Sequence, residues 1–375
     1  MKVTIIIPTY NEKANIANTI DDLETAFKKI TSQHQMSILV IDDNSPDGTG
    51  DIVKSKSKQY SNVKLLPNKE KKGLGAAYIK AMKYAMEKLN ADVVFEYDAD
   101  GSHKPEYIPG MVATLAKGAD VVVGSRYVPG GSMPDDWGIH RKLISYFGNF
   151  TARSVLWTWQ YKDMTSGFRG TKTKFLKKVA LDNLLSKQFA YKIHLYYALH
   201  KLGAKIKEYP IAFIDRSKGK SKFPRNNIID SLRVVFTLRF KQSEKLIKVM
   251  IVGGIGTIVQ MVFFNIFRLK MHLSLAQNLA IELAVVSNFT LNNIWTFKDH
   301  KFSLKELAKL VIGFIKFNLA SIGSIIIQNI ILLLGIKLLG RSFIIENTLV
   351  MIGILIGLIW NYLMYTRIVW KTHKK

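Results

Sequence analysis

Cysteine is absent from the 375 residues, which excludes disulfides, thiolate nucleophiles and cysteine-based zinc sites. Acidic residues are few, 28 against 54 lysines and arginines, for a formal charge of +26. That balance suits an anionic partner, but no nucleic-acid-binding motif accompanies it. Nucleic acid is therefore not expected, and lipid headgroups with phosphorylated substrates are the better destination. A secretory leader is not expected either. Met1-Lys2 precedes a short apolar run that stops at Pro8, too brief for a signal-peptide core and right for a strand. Nucleotide-binding fingerprints are also missing. Lys72-Gly73-Leu74-Gly75 is too short and wrongly ordered for a P-loop. Gly253-Gly254-Ile255-Gly256 lies inside a membrane-length apolar run with no strand before it, so close helix packing accounts for it better than a dinucleotide.

The informative stretch is Val93–Pro105, VVFEYDADGSHKP. Val93–Phe95 reads as a buried strand that ends in Asp98-Ala99-Asp100. On an extended chain, carboxylates two apart point the same way, and two like charges aimed at one point repel unless a cation or proton sits between them. Ligands of α/β sheets bind at the carboxyl ends of strands, where a divalent ion is the natural resident. Acidic turns after strands are common, so this motif alone decides nothing.

The rest of the front half supplies the context. Strands are expected at Val3–Pro8, Ser37–Ile41, Val63–Leu66 and Asp120–Gly124. Helices are expected after Glu12, near Thr49–Tyr60, from Gly75 to about Leu89, and over Pro105–Lys117. Alternation at this pace predicts a mostly parallel, doubly wound sheet. Asp42, Asp43, the Asp98/Asp100 pair and Arg126 then collect at successive strand ends, facing one crevice.

PTYNE at Pro8–Glu12, IDDNSPDGT at Ile41–Thr49, KGLGAA at Lys72–Ala77, DADGSHKPE at Asp98–Glu106 and GSRY at Gly124–Tyr127 resemble family 2 glycosyltransferases of GT-A fold. HRKLIS at His140–Ser145, TSGFRG at Thr165–Gly170 and FIDRSKGKSK at Phe213–Lys222 continue the likeness to the dolichol-phosphate mannose synthase branch, over about the first 230 residues. The resemblance implies GDP-mannose as donor and a polyprenyl (dolichyl) phosphate as acceptor. By that likeness Pro8, Tyr10, Glu12 and Asp42 hold base and ribose, with Lys72 and Ala99 also on the donor. Asp98 and Asp100 bind Mg²⁺ or Mn²⁺ on the diphosphate, Arg216 and Lys222 contact the phosphates, and Arg126, Arg141 and Ser145 grip the acceptor phosphate. Close relatives often carry Gln, a further metal ligand, where this chain has Ser102; Ser102 or water is left to fill that position. The QxxRW motif of processive polysaccharide synthases is missing. The motifs fix the nucleotide diphosphate and metal better than the sugar, so UDP-glucose or another hexose donor remains the alternative, as does a lipid-sugar flippase or anchor with a non-catalytic front.

The expected domains are an α/β GT-A catalytic part over 1–225, an amphipathic interfacial helix at 226–245 and an all-α transmembrane part over 246–375. Leu143–Trp159 and Ile228–Phe240 mix bulky apolar residues with arginines, which suits the headgroup boundary. Apolar segments near Leu246–Phe267, Leu273–Trp295, Leu307–Leu334 and Phe343–Val369 are each long enough to span a hydrocarbon core of about 30 Å. Lys298, Lys301, Lys305, Lys309, Lys371, Lys374 and Lys375 place both termini and the catalytic part in the cytosol by the positive-inside rule. Glu282 lies within the second segment, and Gly353 and Gly357 form a GxxxG. The rear resembles GtrA-like four-helix membrane domains. Oligomeric state is not legible.

Overall fold

Val3, Ile5, Ile6 and Ile7 are fully buried, because a central strand of a parallel sheet is covered on both faces and so reads as an unbroken apolar run. They form β1 (Lys2–Thr9), followed by α1 (Ile16–Phe27), β2 (Gln35–Asp42), α2 (Thr49–Gln59) and β3 (Val63–Pro67). Next come α3 (Leu74–Glu87), β4 (Val93–Glu96), α4 (Ile108–Ala116, entered through a 3₁₀ turn at Pro105–Tyr107) and β5 (Val121–Ser125). Then follow α5 (Ile139–Leu156), β6 (Arg169–Lys172), α6 (Thr173–Leu176), α7 (Tyr191–Lys201) and β7 (Ile206–Pro210). These coordinates are a computed structural model that describes residues 1–214, 225–303 and 305–372.

The sheet has seven strands in the order β3-β2-β1-β4-β6-β5-β7. β1 pairs in parallel with β2 and β4, β2 with β3, and β5 with β7. The chain builds outward from β1 to β3 and then returns to β4 on the other side. That reversal opens a crevice between the carboxyl ends of β1 and β4. The expected mostly parallel α/β sheet is present, with one addition: β6 runs antiparallel between β4 and β5. β6 is only RGTK, and its arginine is tolerated in the core because Arg169 Nε donates to Glu96 on the neighbouring strand at 2.6 Å, both side chains being buried.

Leu143, Ile144, Tyr146, Phe147 and Phe150 of α5 and Trp157 just beyond it remain exposed, Trp157 at 71%. A face this apolar is unusual on a water-soluble surface.

The chain divides into two units, Met1–Arg239 and Phe240–Lys375. One helix, α8 (Arg225–Phe267), covers both the expected interfacial stretch and the expected first span. No proline or glycine lies between Arg225 and Val252, so nothing interrupts the helical hydrogen bonds. Val234, Val235 and Leu238 belong to the core of the first unit, whereas Ile229, Leu232 and Phe236 are exposed.

The second unit adds α9 (Leu273–Leu291), α10 (Leu307–Leu339) and α11 (Phe343–Met364). Among the described residues three helical stretches are long and apolar enough to cross a membrane: Asn226–Phe267, Leu307–Leu339 and Phe343–Val369. The second expected span, Leu273–Trp295, does not reach that standard, because Gln277, Asn278, Glu282, Ser287 and Asn288 dilute the hydropathy of α9. Gly357 approaches α10 so closely that a Cβ there would lie 2.7 Å from Ser324 Oγ, the close contact that the GxxxG predicts. Gly256 likewise packs against Asn288, while a Cβ at Gly253 or Gly254 would meet nothing within 4 Å among the described residues, so the expected close packing is seen only at Gly256. Trp370 stacks on Phe297 at 4.4 Å and donates from Nε1 to Asn293 Oδ1 at 3.1 Å.

Candidate functional site

The loops that end β1 and β2 lock together through Asp42. Its Oδ1 accepts from Thr9 Oγ1 at 2.8 Å and Ser45 Oγ at 2.6 Å, and its Oδ2 from Ser45 N at 2.9 Å. Asp42, Asn44, Asn68 and Lys69 help to line a cavity of about 330 Å³. Glu12 closes the loop after β1, accepting from Asn15 Nδ2 at 2.9 Å, and Lys71 Nζ lies 3.5 Å over the ring of Tyr10. Pro8 is half-buried at the end of β1. Lys72 is exposed and paired with Glu70 at 2.9 Å. For Asp43, burial raises the pKa above the ordinary carboxylate value, against the lowering by its Asn68 bond.

β4 ends at Glu96, two residues before Asp98. Strand alternation therefore does not set the direction of the two carboxylates, as the sequence suggested; side chains from elsewhere do. Tyr78 of α3 donates to Asp98 Oδ1 at 3.0 Å, and His103 Nε2 and Lys192 Nζ lie 3.6 and 3.9 Å from Oδ2. Burial alone would raise the pKa of Asp98, but Lys192, His103 and Tyr78 outweigh it and hold the group well below the usual carboxylate range. Asp100 is buried, and its Oδ1 accepts from Ser102 Oγ at 2.6 Å and Ser102 N at 3.1 Å. Gly101, at φ 77°, makes the turn that lets Ser102 fold back in this way. Ala99 is buried, and its carbonyl accepts from Thr19 Oγ1 at 3.0 Å, which ties the turn to α1.

His103 is a support for this loop. Its ring sits 4.9 Å from Phe168 and 5.3 Å from Phe213, and its carbonyl accepts from the Tyr97 hydroxyl. Among the described residues no group of three or more His, Asp or Glu side chains is placed to hold a metal. Two carboxylates still fit Mg²⁺, which commonly takes one or two carboxylates and draws its other ligands from substrate phosphates and water.

At the other end of the crevice, Arg126 leaves β5 and forms a fork with Asp163, Nε–Oδ2 at 2.8 Å and Nη2–Oδ1 at 2.9 Å. Nη2 also donates to Thr165 Oγ1 at 2.9 Å, and among the described residues no partner bonds Nη1. Asp163 is fully buried. Burial would raise its pKa, but the Arg126 charge and hydrogen bonds hold it low; burial would lower that of Arg126, and Asp163 raises it. Asn149 on α5 fastens the same loop, donating to Thr165 Oγ1 at 2.9 Å and accepting from Met164 N at 2.8 Å. Ser145 Oγ lies 2.6 Å from the hydroxyl of Tyr127, whose ring sits 5.3 Å from the Arg126 guanidinium. Arg141, one turn before Ser145, lies 3.9 Å over the ring of Trp137.

Phe213 joins the two ends. It touches His103 beside Asp98, Trp137 beneath Arg141 (5.6 Å) and the Arg126 guanidinium (5.6 Å). The structure thus brings Asp98, Asp100, Ser102, Arg126, Arg141 and Ser145 around one connected set of side chains, while Arg216 and Lys222 lie outside the described residues. Tyr78, Lys192, Asp163 and Trp137 were not assigned from sequence. Lys192 carried a signal: a lone lysine in the apolar, aromatic run AYKIHLYYAL must either reach the surface or find an anion, and here it is 1% exposed beside Asp98.

Residues 4–180 match glycosyl transferase family 2, and residues 248–370 match the GtrA/DPMS transmembrane domain. The chain is similar to the dolichol-phosphate mannosyltransferase of Pyrococcus furiosus, 31% identical over 99% of this chain and 100% of that one. It is similar to the undecaprenyl-phosphate mannosyltransferase of Micrococcus luteus, 38% identical over 59% of this chain and 87% of that one. The polyprenol monophosphomannose synthase of Mycolicibacterium smegmatis is 34% identical over 62% of this chain and 84% of that one.

Proposed function

This chain belongs to glycosyl transferase family 2, in its dolichol-phosphate mannose synthase group, joined to a GtrA/DPMS transmembrane domain, and on that premise we propose that it transfers mannose from GDP-mannose to a polyprenyl (dolichyl) monophosphate. The observation that carries this reading is the connection through Phe213 of the Asp98/Asp100 side to two arginines, cation-holding carboxylates on one side and N–H donors for phosphate on the other.

In this reading Asp42 takes the ribose, with Pro8, Tyr10, Glu12, Lys72 and Ala99 around the nucleotide. Arg216 and Lys222 contact the donor phosphates. Asp98 and Asp100 would hold Mg²⁺ or Mn²⁺ at the diphosphate. When bound, that ion supplies Lewis-acid stabilisation of the leaving nucleotide. Ser102 orients Asp100 rather than replacing a metal ligand. Arg126, Arg141 and Ser145 bind the acceptor phosphate, the arginines through forked donors that match its oxygens. No general base is needed, since a phosphate monoester has a second pKa of about 6 and is already mostly dianionic at neutral pH. The fixed groups position it and offset its repulsion from the diphosphate. Direct displacement at the anomeric carbon inverts it, so an α-linked donor gives a β-linked lipid product.

We place the catalytic part at 1–225, an interface-lying stretch at 226–245 and the membrane part, of four helices, at 246–375. The exposed apolar face of α5 also suits a headgroup boundary. Lys298, Lys301, Lys305, Lys309 and Lys371 favour a cytosolic catalytic part and cytosolic termini.

The test is to incubate purified, detergent-solubilised protein with polyprenyl phosphate, Mg²⁺ or Mn²⁺, and radiolabelled GDP-mannose beside UDP-glucose. Lipid-linked label from GDP-mannose supports the reading. Label from UDP-glucose alone keeps the chemistry and changes the sugar. No label from any donor, with folded protein, overturns the synthase and turns attention to lipid-sugar translocation by the membrane part.

A further inference from the structure

Arg126 and Arg141 carry the same charge, and each has a distinct described contact. Arg126 has a buried carboxylate in a two-point fork. Arg141 sits in the first turn of α5 with its guanidinium carbon 3.9 Å from the centroid of the Trp137 ring, inside the range of a cation–π contact. We propose that Trp137 is the positioning residue for Arg141: its ring is the platform that holds the guanidinium toward the acceptor phosphate, in register with the donor carboxylates. The proposal rests on the acceptor role given to Arg141 above.

Three observations carry it. Trp137 is 8% exposed, so the ring has little freedom of its own. It is braced edge-on by Phe213 at 5.6 Å and 71°, and Phe213 is braced in turn by His103 at 5.3 Å and 68°. The platform is thus referenced, ring by ring, to the side chain that touches Asp98. Finally, the indole Nε1 is buried and has no hydrogen-bond partner among the described residues. Tryptophan is ordinarily placed where its N–H is satisfied; here the ring face is what the position uses.

The physical effect is preorganisation. An arginine side chain has a large rotamer entropy to lose when it grips a ligand. A ring beneath the guanidinium removes part of that freedom before the phosphate arrives, and stacking engages the face of the guanidinium rather than its N–H groups. Leucine keeps the apolar bulk at this position and removes the π face. Phenylalanine keeps a smaller face.

The experiment is a double-mutant cycle on the full chain in detergent. Calorimetric affinity for a short, water-soluble prenyl monophosphate is measured beside KM for GDP-mannose. Trp137→Leu is expected to weaken prenyl phosphate binding by about tenfold, with the donor KM unchanged, and Trp137→Phe to recover most of the loss. In an Arg141→Ala background Trp137→Leu should add nothing, because the ring acts only through the arginine. Equal losses in both backgrounds, or a parallel rise in the donor KM, overturn the proposal, since a general packing defect moves both. Thermal melting of each variant shows whether it is folded, and Trp137→Phe carries the test if the leucine variant is not. If the wild-type chain binds the prenyl phosphate but turns nothing over, only the donor assignment fails. If it binds none, the acceptor reading and this proposal fall together.

Discussion

The two ends of the crevice hold opposite charges by opposite economies. At the proposed donor end, Asp98 is surrounded by Tyr78, His103 and Lys192, which stabilise its negative charge. At the proposed acceptor end, Arg126 is secured by the buried Asp163, and Arg141 lies over the Trp137 ring. In each pair one member has a charged partner in the fold, Lys192 for Asp98 and Asp163 for Arg126, and for the other the described contacts include a local one, Ser102 for Asp100 and Trp137 for Arg141. The difference teaches where the site is rigid. Under the proposed function, Asp98 and Arg126 are the frame against which diphosphate and acceptor phosphate are set.

That contrast can be broken by substitution, most severely at Asp100. Two unit charges about 4 Å apart at an effective dielectric of about 20 interact by roughly 4 kcal/mol, on the order of a thousandfold in rate when felt in the transition state. Asp100→Ala should therefore nearly abolish sugar transfer in a radiolabel assay while leaving the melting temperature close to wild type.

Asp163→Asn reverses the pattern, because it strikes the frame. Removing one partner of a buried pair strands the other charge, at a cost of about 3–5 kcal/mol, read as a lower melting temperature. The pH dependence follows in sign. Asp163 titrates below its ordinary value when folded, so its contribution is complete above the unfolded carboxylate pKa of about 3.9 and is lost as pH falls through the lower folded value. Melting curves taken on descending pH should show that loss in wild type and less of it in Asp163→Asn.

Lys192→Met tests the donor half of the frame. With the ammonium gone, Asp98 loses the largest influence that lowers its pKa. The metal concentration for half-maximal rate should shift by about tenfold, the lower range for loss of a supporting contact to a metal ligand. No shift would mean that Lys192 serves packing alone. The smallest effect is expected at Ser102→Ala, which removes one hydrogen bond to Asp100 worth about 1 kcal/mol. A severalfold loss of rate fits orientation of Asp100, whereas a change in metal preference would make Ser102 a ligand.

Legibility in the sequence followed the kind of signal each residue leaves. β1, β2, β4 and β5 are apolar runs punctuated by turn residues, and the folded strands lie over them. β6 was silent because RGTK has no apolar run; its burial depends on Arg169 meeting Glu96, which no local pattern announces. The continuity of α8 was obscured by reading two functions into one helix. On the site, the motif residues were legible because they sit in short turns of polar residues just after strands. Their holders were not, because Tyr78, Asp163 and Lys192 arrive from other elements and are defined only by three-dimensional pairing. Asp98 and Asp100 were expected to converge through strand alternation; the turn at Gly101 and these holders direct them instead.

The most direct measurement is the initial rate of mannosyl-lipid formation from GDP-mannose and polyprenyl phosphate against Mn²⁺ or Mg²⁺ concentration, for wild type and Asp100→Ala. The account predicts a saturable, chelator-sensitive rate in wild type and nearly none in the variant at any metal concentration. Equal rates in the two proteins, or turnover that survives complete chelation, would contradict it.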